Sequence, residues 1–122
     1  MRPTRFYSNR QEKAVASAVG GRKVANSGAT VFFKGDVDGG DFLIECKTSC
    51  SEKQSFSVKR AWLEKNEEER YEMGKSYSAL AFDFGDNGKR YYVIDEKLFV
   101  KLMELLKKGK SLRLLLLELL LD

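Results

Sequence analysis

Apolar residues along this chain switch between two periods, and each switch marks the edge of an element. In residues 8–19, Val15, Ala16 and Val19 recur at helical spacing, with Glu12 on the same stripe. Ser8 followed by Gln11 reads as a capping box with Ser8 as N-cap, and Gly20-Gly21 stops the helix. Beyond it the period is two. Residues 22–26 make a short strand, Ser27-Gly28 a turn, and Thr30-Val31-Phe32-Phe33 a β-rich run. Gly35-Asp36 and Asp38-Gly39-Gly40 are turn signals on either side of Val37. Residues 41–48 then alternate, with Phe42, Ile44 and Cys46 on one face and Leu43, Glu45 and Lys47 on the other. A strand that is apolar on both faces except at one end belongs at the centre of a covered sheet, with its polar end at the site.

The second half continues in the same alternation of periods. A polar loop over residues 49–54 leads to a helix over 58–73, anchored by Trp62 with Val58 and Ala61 as neighbours. Its other face holds Glu64, Lys65, Glu67, Glu68, Glu69 and Arg70, and the acidic run 67–69 is expected to be a solvated face. A strand over 78–84, a hairpin turn at Gly85-Asp86-Asn87-Gly88 and a returning strand over 91–94 follow. Asp95 caps a helix over 96–108, and Gly109 is expected to break it. Residues 111–121 are leucine almost all round, a run too short for the roughly 20 residues of a bilayer span. Such a helix needs burial on more than one side, against its own sheet or, the preferred expectation, in an oligomer contact. The pattern predicts a single α/β domain over 1–122. Its core of 1–108 is a central mixed sheet flanked by helices, and 109–122 is a Leu-rich C-terminal helix.

Composition changes this picture little. Across 122 residues, 43% are hydrophobic and 33% charged, as in a folded globular domain with a modest core. The net charge of +4 arises from 22 basic against 18 acidic residues, which permits nucleic-acid binding without demanding it. The basic residues concentrate at the N-terminal end, where Arg10, Lys13, Lys23 and Lys34 are candidate phosphate contacts. Lys59, with Gln54 and Ser55, stands near the start of the second helix, where a phosphate could also sit. The two cysteines, Cys46 and Cys50, are too few for a zinc site by themselves, and reduced thiols in a cytoplasmic protein are the expectation. No signal-peptide core or membrane span is read. With no histidine, hydrolytic chemistry would run on carboxylates, lysine and a metal ion.

Those groups converge in one stretch. Glu45 and Lys47 share a strand face, and Asp36 can reach the same place from the preceding turn. Two carboxylates offer oxygen ligands to a hard cation such as Mg²⁺, with Mn²⁺ as a substitute. Such an ion activates water and neutralises charge developing on a phosphate, while Lys47 orients or deprotonates that water. The carbonyl of Cys46, between the two charged residues, is a further ligand candidate, whereas its thiol faces away. Asp38 and Asp41 are read as loop residues.

At Glu12, Ser27-Gly28, Gly35-Asp36-Val37 and Glu45-Cys46-Lys47, in that order, the chain resembles the PD-(D/E)xK nuclease superfamily. Within it, the look is that of small Holliday junction resolvases of archaea and phages. Gly35 stands where the signature has proline. The resemblance spans roughly residues 10–100 and implies a restriction-endonuclease-like core. It further implies that Glu12 serves the metal site, directly or through water, and that Ser27 touches a phosphate or the site carboxylates. The implied activity is Mg²⁺-dependent cleavage of branched DNA by a homodimer, in the cytoplasm or in that of a phage's host. A nicking or restriction-like endonuclease and a catalytically silent DNA-binding subunit are the alternative expectations.

Overall fold

The computed structural model describes residues 3–24 and 36–121. Among the described residues eight elements follow one another: α1 (Thr4–Val19), β1 (Arg22–Lys23), β2 (Asp36–Asp38), β3 (Phe42–Lys47), α2 (Arg60–Glu72), β4 (Tyr77–Phe82), β5 (Tyr91–Val93) and α3 (Glu96–Leu121). The strands form one mixed sheet in the order β1-β2-β3-β4-β5. Neighbours pair antiparallel except β3 and β4, which run parallel because α2 crosses between them. The fold is thus α/β with a mixed sheet flanked by helices, as the periodicity predicts. Among the described residues, no helix is long and apolar enough to cross a membrane.

The two faces of the sheet serve different helices. Val15 of α1 packs with Val37, Ile44, Cys46, Ala79 and Ala81, and Ala16, Phe42 and Ile94 lie against that cluster. On the opposite face Leu43 and Leu80 are fully buried, in the layer that α2 crosses. Since neighbours along a strand point to opposite faces, Asp36, Glu45 and Lys47 belong to the α2 side and Val37, Ile44 and Cys46 to the α1 side.

Several boundaries move. α1 begins at Thr4, directly after Pro3, so Ser8 lies inside the helix and its hydroxyl donates back to the Thr4 carbonyl at 3.3 Å. Local hydroxyl-to-carbonyl bonding of this kind competes with the capping role that the sequence pattern assigns to Ser8. The helix does stop at Gly20, whose φ of 67° is left-handed backbone. At Gly21 a side chain would overlap the Asp38 carbonyl, so the chain turns into β1 only with glycine there. The β-rich run 30–33, Ser27 and Lys34 lie outside the described residues. Asp95 caps α3 as expected, accepting from the Leu98 amide at 2.8 Å. α3 does not break at Gly109 but continues through it as one 26-residue helix, because a lone glycine costs a helix only about 1 kcal/mol. Nor does its second half fold back on the sheet: every large apolar residue of α3 beyond Leu98 is exposed.

Candidate metal centre

The register of β2 and β3 builds the site. It sets Asp36 directly opposite Glu45, and such cross-strand partners share a face with Cβ atoms about 5 Å apart. Over that face runs α2, whose inward stripe is Trp62, Asn66 and Glu69. Asn66 fastens the helix down, its amide donating to the Leu43 carbonyl at 3.3 Å and the Ala79 carbonyl at 3.0 Å. One turn further on, Glu69 is turned inward. Carboxylate oxygens of Asp36, Glu45 and Glu69 all lie within 4.8 Å of one another.

Three carboxylates this close, with Asp36 only 2% exposed, cannot all hold full charge without a cation. Burial, then the charge and hydrogen bonding of Glu45 and after it those of Glu69, push the Asp36 carboxyl up to about 8. Its Oδ1 is buried and has no hydrogen-bond partner among the described residues. An orphaned buried oxygen beside two further carboxylates could hold a metal ion, and an all-oxygen donor set is the kind that hard cations take. The backbone carbonyl of Cys46 is one residue from Glu45 on β3, and its thiol is buried on the opposite face.

Lys47 stands beside the acids. Its ammonium is 3.2 Å from Glu45 Oε1 and 4.5 Å from the centre of the Trp62 ring. Trp62 also carries the ammonium of Lys59 at 5.4 Å, and its ring neighbour Phe56 stacks on Phe82 at 4.8 Å. Phe82 is the register partner of Lys47 on β4. An aromatic wall and one carboxylate therefore hold the lysine at the polar end of the central strand.

Other expected residues fall elsewhere. Glu12 is buried, but it projects from α1 on the far face of the sheet and is not part of the acidic cluster. Lys23, set beside Val37 on that same face, approaches it at 4.0 Å. Burial raises the Glu12 carboxyl above its usual range, opposed by the charges of Lys23 and Arg5. Lys23 also donates to Asn9 at 3.2 Å, which ties it to α1. Arg10 lies over Phe6 and Tyr7 at 5.6 and 5.4 Å, and Lys13 is exposed. Asp38 shares a face with Asp36 but is engaged by Lys75 at 2.6 Å, which holds its carboxyl below the ordinary range.

Glu69 is the residue that sequence reasoning missed. The run Glu67-Glu68-Glu69 is not one solvated face: Glu68 is exposed, Glu67 binds Arg70 and accepts from Ser78, and Glu69 is buried. The signal was present in the helical spacing, since Glu69 lies seven positions after the anchoring Trp62, on the same stripe. Compared with known protein families, curated proteins and solved structures, the chain matches none.

Proposed function

We propose that this chain is a metal-dependent DNA endonuclease whose centre is Asp36, Glu45 and Glu69, with Lys47 beside it. The observation that carries the reading is the buried Asp36 carboxyl, one oxygen unpartnered among the described residues, clustered with two acids next to a lysine ammonium. Asp36, Glu45 and Glu69 would hold Mg²⁺ or Mn²⁺, with the Cys46 carbonyl as a further oxygen. When bound, such an ion supplies a Lewis acid that makes a water nucleophilic near neutral pH and offsets charge on a phosphate. Asp36 would hold the ion as a deprotonated carboxylate. The Lys47 ammonium has donors only, so it orients the attacking water and a phosphate oxygen by hydrogen bonding. Trp62 keeps it pointed there. Lys59 brings a second cation to the same wall, suited to the neighbouring phosphate of a strand.

Branched DNA, and a four-way junction in particular, is the preferred substrate on the resemblance to PD-(D/E)xK resolvases alone. That resemblance assigns its first-helix acid to Glu12; here Glu69 takes the third position in the cluster instead. The free thiols of Cys46 and Cys50 suit a reducing cytoplasm, the host's if the protein is phage-encoded.

The test is cleavage of a labelled synthetic four-way junction beside a linear duplex of the same sequence, with Mg²⁺ or Mn²⁺. Wild type, Lys47→Ala and Glu69→Gln are compared. Paired symmetric nicks in the junction only, lost in both variants, are the expected result. Equal cutting of junction and duplex would make it a nicking or restriction-like endonuclease. No cutting of either would leave a DNA-binding subunit without catalysis.

A further inference from the structure

The nuclease reading leaves α3 unused, and α3 has an order of its own. Leu98, Leu105, Leu112 and Leu119 recur every seven residues, with Leu102, Gly109 and Leu116 between them. That alternation of three and four is a heptad seam sustained through three heptads. The seam is continuous only because the helix does not break at Gly109. Leu98, at its start, is buried in the domain, while Leu105, Leu112, Leu116 and Leu119 are 55–65% exposed. Leu102 also borders an apolar groove on the α1 side of the sheet, with Phe42, Ile44, Tyr92 and Ile94, so the apolar surface runs unbroken from the domain onto the helix.

We propose that α3 is the interface of a homodimer, formed by two copies packing antiparallel along this seam. The seam is self-complementary, which is what a two-fold contact requires. A parallel, in-register pairing would set Gly109 against Gly109 of the partner subunit and leave a gap in the middle of the seam. The antiparallel pairing avoids it. Leu102 then meets Leu119 of the partner subunit, Leu105 meets Leu116 of the partner subunit, and Leu112 of the partner subunit fills the space left at Gly109. The area suffices. Each leucine removed from water contributes roughly 60–120 Å². The seam with its flanking Leu106, Leu115 and Leu120 therefore approaches the ~800 Å² per partner of a stable complex. This inference is independent of the nuclease reading, since it concerns a different surface and a different readout.

The test is sedimentation or light scattering of the full chain over micromolar concentrations, without metal. Wild type is compared with Leu105→Glu/Leu112→Glu on the seam and Leu114→Glu on the opposite side of the helix. The far-ultraviolet spectrum and melting temperature check that each variant folds. Wild type and Leu114→Glu should be dimers, and the seam variant should dissociate at least about 30-fold more readily, as for loss of interface anchors. In a Cys50→Ser background, oxidation should link Leu105→Cys to Leu116→Cys chains in a mixture, and not Leu105→Cys chains to each other. A wild-type monomer throughout the range would overturn the proposal. So would equal dissociation by Leu114→Glu, or a monomer that sediments with phosphatidylcholine or phosphatidylglycerol vesicles. Self-linking of Leu105→Cys would overturn the antiparallel arrangement.

Discussion

The surface beneath α2 and the surface of α3 invert the usual distribution of polarity in opposite ways. Under α2, three carboxylates are drawn together and the innermost is 2% exposed. Along α3, leucines stand in solvent, Leu120 at 81%. Polar groups inside and large apolar groups outside are the informative exceptions in a folded chain. Each costs stability in isolation, and each would be relieved by the ligand proposed for it: a cation in one case, a second helix in the other. The buried acids are held by a sheet register and an anchored helix, so their ligand must be small and their geometry is set in advance. Among the described residues the leucines beyond Leu98 stand on their own helix, so the partner proposed for them would be large and would supply the missing side.

The comparison breaks most sharply on activity. Lys47→Ala should lower cleavage by about 10²–10³-fold, the range for losing a positioned hydrogen-bond donor, with little change in melting temperature, as measured by junction cleavage and calorimetry. If activity survives, the acidic cluster is not a catalytic centre.

Next in size is the contrast between a core leucine and a tail leucine. Leu80 is fully buried beneath α2, and Leu80→Ala should cost about 2–5 kcal/mol in chemical denaturation. Leu114 is 63% exposed and off the seam, and Leu114→Ala should stay within about 0.5 kcal/mol.

The acids should also make stability depend on pH. The Asp36 carboxyl titrates near 3.8 when unperturbed and about 8 in the fold. Between those values the folded chain keeps a proton that the unfolded chain loses. Its contribution is therefore fully present below 3.8 and is lost as pH rises through about 8. Thermal melts of the metal-free protein should fall across that window, and Mn²⁺ should restore most at the alkaline end. Asp36→Asn should flatten the profile and raise the metal-free melting temperature at pH 8 by about 3–6 °C, while abolishing cleavage.

The smallest effect separates two buried glutamates. Glu69→Gln should weaken Mn²⁺ binding at least about tenfold, near 1.4 kcal/mol, by calorimetric titration. Glu12→Gln, on the other face of the sheet, should change it by less than about twofold, within the usual scatter of sites that share no partner. Equal losses would mean that α1 serves the centre after all.

Much of the fold is legible along the chain because it depends on neighbours in sequence. The alternation of residues 42–47 decides which side chains share a face, and so puts Glu45 and Lys47 together by strand geometry alone. The glycine stop of α1, the Asp95 cap and the alternation of helices with strands are likewise local chemistry. What the tertiary structure decided is which distant residues share a site. Both Glu12 and Glu69 lie on inward stripes of their helices, and each stripe is visible in the sequence. Only the packing of α1 and α2 on opposite faces determines that Glu69 joins Asp36 and Glu45 while Glu12 joins Lys23. The continuity of α3 through Gly109 is similar. Glycine lowers helix propensity by a small amount, and whether the helix breaks there depends on the turns on either side of it. Periodicity determines what faces inward on each element; the stacking of the elements determines what it meets there.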